Sequence, residues 1–242
     1  MNEKAYRKYL RENVSEEKIR RLYHKIKDRC NYVHEDYKTY NGIEIKWKKA
    51  NDFIDWFFNV QTSYRFLKEH NKKHEYQLDK DLKGKGYYGS DACIFIPKYI
   101  NAMIETRMGA RGDLPLGVCN GRNGFYSVYI SVMGKGNHTV VARTVPDIHT
   151  AFHIYRIAKE HYIKLIAEEY YKRDLIDDEA YNLLMNHKVV DDTKQAKCDD
   201  RYIKYANNYL VKSGKLNMIT DMVNEFSVPE IIKMKDNILE VK

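Results

Sequence analysis

The sequence predicts an α+β chain, and three observations carry that prediction. Apolar residues recur at three- and four-residue spacing near residues 19–30, 53–60 and 151–166, the period of helices with one buried face. Between the last two of these, short apolar or alternating runs broken by glycine turns read as strands. The 242 residues include only 4 prolines and no internal repeat, which fits one compact unit or two small ones. The expected order is a helical lead, a strand–turn–strand–helix finger, a three-stranded antiparallel sheet packed on a long helix, and a helical C-terminal region. The expected divisions are 1–113, 114–174 and 175–242.

Each element has a local reason. Ser15 caps a helix whose first turn holds Glu16 and Glu17, and Ile19, Leu22, Tyr23, Ile26 and Cys30 form its apolar stripe. Its other face is basic: Arg20, Arg21, Lys25, Lys27 and Arg29. Asn41-Gly42 punctuates a short alternating strand over residues 43–47, followed by a helix with Phe53, Trp56, Phe57 and Val60 on its apolar side and with Trp47 and Trp56 as core anchors. YQLDKD, a turn through Gly84, Lys85 and Gly86, YYGSDACIFIP and a helix after Pro97 give the finger. RMGARGDLP, residues 107–115, is the linker candidate. PLGVCNGRN, GFYSVYISVMGKG and NHTVVARTV supply the three strands. A helix beginning at Pro146 or Asp147 then covers one sheet face through Ala151, Ile154, Tyr155, Ala158, Tyr162, Leu165 and Ile166. Tyr126, Val128 and Ile130 point toward it at period two.

Composition excludes several classes. Hydrophobic residues make up 43% and mean hydropathy is -0.68, with no apolar run near the ~20 residues of a membrane span. The charged N-terminus lacks the apolar core of a secretion signal, so a cytoplasmic location and no membrane partner are expected. Cys30, Cys93, Cys119 and Cys198 lie far apart without a C-x-x-C pair, which argues for reduced thiols over a disulfide framework or a structural zinc site. His149 and His153 stand one helical turn apart without a third ligand and read as exposed helix residues. His70 and His74 fall in a lysine-rich stretch. The net charge is +8, with 14 basic against 8 acidic residues in 1–50 and 10 against 12 in 175–242. The positive field is therefore N-terminal, where Arg20, Arg21, Lys25, Lys46, Lys48 and Lys49 are candidate phosphate contacts.

GVCNGRNGFYSVYI (117–130) and TVVARTVPDIHTAFHIYRIA (139–158) resemble the ethylene-response-factor DNA-binding domain, through Gly117-Val118, Gly124 before Tyr126, Ile130, and the triplet Ala151, Tyr155, Ala158. The resemblance implies that the exposed sheet face enters the major groove. The family's base-reading positions fall on Cys119, Gly121, Asn123, Ser131 and Val141, which cannot make arginine's bidentate contacts to guanine. Candidate contacts therefore move to Arg122, Tyr129, Lys135, His138 and Arg143.

Upstream, LYHKIKDRCNY, IKWKKANDFIDWF, LDKD and YYGSDACIFIPKYIN are similar to phage proteins described as HNH homing endonucleases, in which a ββα-metal finger precedes an ethylene-response-type domain. In that family, with an Asp-His pair on the first strand and an Asn on the helix side, the His deprotonates water while Asp and Asn hold one divalent metal on the scissile phosphate. Aligned on Leu78-Asp79, the His position is Lys80 and the Asn position is Ala92, so only Asp79 survives. Asp81 and Asp91 are the residues that could rebuild a carboxylate cage. The resulting expectation is a phage-encoded DNA-binding protein with a degenerate HNH-like site, double-stranded DNA as partner and no cofactor. Two alternatives stand beside it: an active endonuclease using Mg²⁺ or Mn²⁺ at a rearranged site, and a protein–protein module that inhibits a host factor.

Overall fold

A computed structural model describes residues 2–31, 40–65, 75–104, 113–132, 138–191 and 193–227. The chain divides into two compact units. Among the described residues the first contains 2–102 with Leu175–Leu183, and the second 103–174 with 184–227. Residues 175–227 thus do not stand apart as a third body: their first nine residues cluster with the N-terminal unit and the rest with the sheet.

In the first unit, α1 (Glu3–Asn13) is capped by Asn2, whose Oδ1 accepts from the Ala5 amide at 2.9 Å. Ser15 Oγ accepts from the Lys18 amide at 3.3 Å at the start of α2 (Glu16–Asn31), which buries Ile19, Tyr23, Ile26 and Cys30. A side-chain acceptor at this place satisfies one of the amides that the first turn leaves without a helical partner. At the start of α3 (Ala50–Asn59), Asp52 reaches back to the Lys49 amide at 3.0 Å.

α3 buries Phe53, Trp56 and Phe57 in an aromatic core. The Trp47 and Trp56 centroids are 5.0 Å apart, Trp56 stacks on Phe95 at 5.9 Å, and Phe57 and Tyr64 meet Phe95 edge-on at 5.4 and 5.2 Å. Offset and edge-to-face rings add about 0.5–1.5 kcal/mol per pair beyond burial. Val60 departs from the expected stripe. It caps the C-terminus of α3 and is 56% exposed, because the helix ends before its turn closes over the core. Residues 43–47 are extended but form no strand. Their backbone pairing is with Tyr88: the Lys46 amide donates to its carbonyl at 2.8 Å and its amide donates to Glu44 at 2.9 Å.

The finger has the expected order. β1 (Tyr76–Asp79) pairs antiparallel with β2 (Ile94–Pro97), Asp79 opposite Ile94, and α4 (Lys98–Ile104) follows directly. Ser63 Oγ takes the Phe95 amide at 2.9 Å, which ties β2 to the aromatic core. Leu175–Leu183 joins this unit through the Tyr76 hydroxyl, which donates to the Leu175 carbonyl, and through a 2.7 Å Lys83–Glu179 ion pair.

In the second unit, β3 (Val118–Asn120), β4 (Tyr126–Ile130) and β5 (Thr139–Val145) form an antiparallel sheet in the order β3-β4-β5. The 25-residue α5 (Ile148–Lys172) begins at Asp147, which accepts from the Thr150 amide at 2.8 Å. It packs on all three strands and on α7 (Asp200–Lys212) and α8 (Lys215–Met222), so apolar residues are buried around most of its circumference. α6 (Asp178–Met185) precedes α7 in sequence.

Val128 and Ile130 lie buried on the face that α5 covers, as the alternation predicts, but Tyr126 is only half-buried. The register shifts on either side of Val128 put their extra residues in β5, while β4 pairs regularly with β3 and buries both Ser127 and Val128. Gly117, at φ +74, lies flat against Tyr155: a Cβ there would come within 1.9 Å of the ring. Only glycine fits both that backbone conformation and that approach.

Candidate nucleic-acid interface

Asp79 closes β1 and is 7% exposed. Its Oδ1 accepts from the Asp81 amide at 3.0 Å and the Leu82 amide at 2.6 Å, so the carboxylate caps the turn that follows the strand. Burial pushes its pKa up, against the pull of those two amides. Lys80 is 9% exposed and its ammonium lies 2.5 Å from Asp81 Oδ1. Asp81 is exposed, and Asp91 is held elsewhere: Lys85 Nζ at 2.7 Å and the Tyr87 hydroxyl at 2.6 Å both donate to its Oδ2. Those two bonds hold Asp91 well below the usual carboxylate range. Ala92 is fully buried and offers no ligand atom.

This donor set does not fit the divalent cation that the HNH resemblance implies. Asp79, Asp81 and Asp91 each answer to a different partner, an ammonium touches Asp81, and among the described residues no three His, Cys, Asp or Glu side chains converge. The sequence expectation that Asp81 and Asp91 rebuild a cage meets this geometry: the turn places Asp81 on Lys80, and Tyr87 draws Asp91 toward Lys85.

The finger gathers cations instead. Arg29, near the end of α2, lies 5.1 Å from the Tyr40 ring centroid, and Lys80 Nζ lies 5.7 Å from the same ring. Arg29 Nε is shielded from solvent and has no hydrogen-bond partner among the described residues. Both cations act on the neighbouring Cys30 thiol, whose pKa burial pushes up while they oppose it. The chain reaches this arrangement by folding back on α2: the Gly42 amide donates to the Cys30 carbonyl at 3.2 Å, with Gly42 at φ +78. Tyr40 carried no functional signal in the sequence beyond its place beside the Asn41-Gly42 turn, and Arg29 stood out only as the last member of a basic helix face.

The other N-terminal cations are spread along the first unit. Arg20 is half-buried in a groove of about 540 Å³ that it lines with Arg11, Ser15, Glu16, Asp55 and Phe58. Arg21 pairs with Glu17 at 2.8 Å, an exposed i,i+4 bridge of small energetic weight. Lys25, Lys48 and Lys49 are exposed. Lys46 lies 3.7 Å from the centroid of Tyr87, the residue that also binds Asp91, which links it to the Lys85–Asp91 pair at the finger's edge.

On the sheet, Arg122 is exposed in a single 3₁₀ turn (Arg122–Gly124), and Arg143 is exposed near the end of β5. Arg143 precedes Thr144, which holds φ +57, an outlier for a β-branched residue. Tyr129 is half-exposed opposite Val140 on the face away from α5. His138 is exposed, and its Nδ1 is 2.9 Å from Ser131 Oγ. Lys135 lies outside the described residues, as do His70 and His74. Of the positions where the resemblance puts base-reading residues, Cys119, Gly121, Asn123 and Ser131 are exposed, whereas Val141 is fully buried. The extra residues of the register shifts lie in β5: Val141 falls between Ala142 and Val140, the partners of Val128 and Tyr129, and the irregularity turns it inward.

Searches of family models, curated proteins and solved structures return no match to this chain. Its chemistry is therefore read from the groups themselves: ammonium, guanidinium, hydroxyl and ring faces, suited to holding oxyanions and stacking surfaces.

His149 and His153, expected to be exposed, are engaged with a single residue. His149 Nδ1 accepts from the Lys197 amide at 3.1 Å and His153 Nε2 donates to the Lys197 carbonyl at 2.9 Å, with His153 1% exposed. Helical spacing alone does not reveal that a later loop covers this face. No helix among the described residues is long and apolar enough to cross a membrane.

Proposed function

We propose that this chain is a phage-type duplex-DNA-binding protein built on a degenerate HNH-like finger followed by an ethylene-response-type sheet domain. One observation carries the reading: where the finger chemistry needs a base and a metal, Asp79 is spent capping a turn and the adjacent side chain is the Lys80 ammonium. An ammonium is a poor general base near neutral pH and repels a metal ion, but it suits a phosphodiester. The exposed Arg122 and Arg143 and the half-exposed Tyr129 would supply further contacts from the sheet.

The test has two arms. Duplex oligonucleotides should bind at low salt, and affinity should fall steeply as salt rises, because each neutralised phosphate releases counterion. Plasmid incubated with Mg²⁺ or Mn²⁺ should remain intact. Robust metal-dependent nicking, abolished by Asp91→Ala, would replace this reading with the endonuclease one. Absence of DNA affinity at low salt would turn attention to a host-protein partner.

A further inference from the structure

Three features stand together at the end of α2 and the finger turn. Arg29 keeps a guanidinium Nε away from water with nothing among the described residues to donate to, although most buried donors are satisfied in native proteins. Lys80 directs a nearly buried amine toward the same ring, Tyr40. The counter-charge on Lys80 comes from the next residue: the Asp81 side chain is 68% exposed and its carboxylate makes the 2.5 Å contact, while the Lys80 side chain is 10% exposed. An oxyanion that reaches Lys80 can take the place of this carboxylate, whose own return to water costs little.

We propose that Arg29, Tyr40 and Lys80 form a subsite for a nucleic-acid backbone phosphate, and that Asp81 occupies Lys80 as a stand-in until the phosphate displaces it. The proposal rests on the DNA-binding reading and adds a regulatory element to it: the free protein carries its own competitor. It also reverses the role that Asp81 has in a rebuilt metal cage. As a metal ligand its loss would weaken function, whereas as a competitor its loss strengthens binding.

The experiment measures duplex affinity by fluorescence anisotropy across a salt series for the full chain and five variants. Asp81→Asn, at an exposed side chain, should bind about two- to fivefold tighter. Arg29→Gln and Lys80→Met should each bind more weakly and flatten the slope of log affinity against log salt, by at most about 0.9 because both act on one phosphate. Lys80→Arg should keep the slope, and thermal melts identify any variant that fails to fold. In the Lys80→Met background, Asp81→Asn should gain nothing, because the two changes act through one contact.

If the parent binds no duplex at low salt, the DNA reading itself is overturned. If the parent binds but Asp81→Asn binds no tighter, or Arg29→Gln leaves the slope unchanged, the subsite alone is overturned. Inorganic phosphate at matched ionic strength should not displace the duplex. Displacement that depends on Lys80 would assign the subsite to free phosphate and overturn the backbone assignment.

Discussion

The two units place their charges differently. In the first, the core is a stack of aromatic rings from Trp47, Trp56, Phe57, Tyr64 and Phe95; Asp79 and Lys80 are buried together at the finger turn, and Lys46, Lys85 and Asp91 stand exposed around Tyr87. Its one described histidine, His24, is exposed. In the second, titratable groups are built into the long helix. Lys159 is 7% exposed, His153 is buried, and His161 on α5 and His187 beyond α6 are half-buried. Burial pushes the three imidazoles and the ammonium toward their neutral forms, Lys159 to about 8. The same net positive charge is thus spent differently: at the surface it answers to salt, and in the interior to pH.

The largest expected effect lies in the ring stack. Phe95→Ala removes a side chain that touches Trp56, Phe57 and Tyr64 and should destabilise the first unit by about 3–5 kcal/mol. Peptide-resolved hydrogen exchange should show protection lost in α3 and the finger. Equal loss along α5 would mean that the two units unfold as one, and the comparison would collapse.

Next comes Gly117→Ala, which drives a methyl group into the Tyr155 ring at a positive φ. Overpacking and the left-handed conformation together should cost about 2–4 kcal/mol, seen as a lower denaturant midpoint with exchange confined to the sheet and α5.

Lys159→Met tests the interior charge directly. Among the described residues the amine has no carboxylate partner; the Tyr162 ring lies 5.6 Å away and the His187 imidazole feels its charge. With a folded pKa of about 8 against 10.5 for the free side chain, it enters the fold charged and desolvated at pH 7. Removing that charge should stabilise the second unit by roughly 1–3 kcal/mol at pH 7. The unfolded chain binds the extra proton between those two values, so the parent gains stability as pH rises through this window and the variant's advantage fades. A variant less stable than the parent at pH 7 would show that the stem's packing outweighs the charge.

The smallest effect is acid sensitivity. His153, His161 and His187 have folded pKa values below 6.5, so the unfolded chain takes up protons first as the solution is acidified. Their stabilising contribution is complete above 6.5 and declines as pH falls through the folded values. Melting of the second unit should therefore move down between pH 7 and 5, and His153→Gln should blunt the shift. A shift of the same size in the first unit would erase the contrast.

What the sequence disclosed follows the range of the interactions. Ser15 and Asp147 were legible as caps because a helix start is decided within four residues. The order of the finger was legible because Gly84, Gly86 and Pro97 punctuate it. That position 80 carries an ammonium and position 92 no ligand side chain was legible directly. The meeting of Arg29 with Lys80 over Tyr40 was not, since it depends on how far the chain folds back after α2. Val141, a base-reading position by resemblance, is buried instead because it is the extra residue of an irregularity in β5 that the sequence does not mark. The grip of His149 and His153 on Lys197 was hidden by 44 residues of separation, and the membership of Leu175–Leu183 in the first unit by a greater distance still.

The contact between Gly117 and Tyr155 also limits how this sequence can drift. Position 117 is closed twice, once by the volume of the ring and once by the sign of φ. A smaller residue at 155 lifts the first restriction and leaves the second. No single inherited change opens the site, and a pair of changes must pass through an intermediate that has lost the ring and gained nothing. Lineages carrying this fold should vary at Cys119 or Asn120, exposed positions of the same sheet, long before they vary at Gly117.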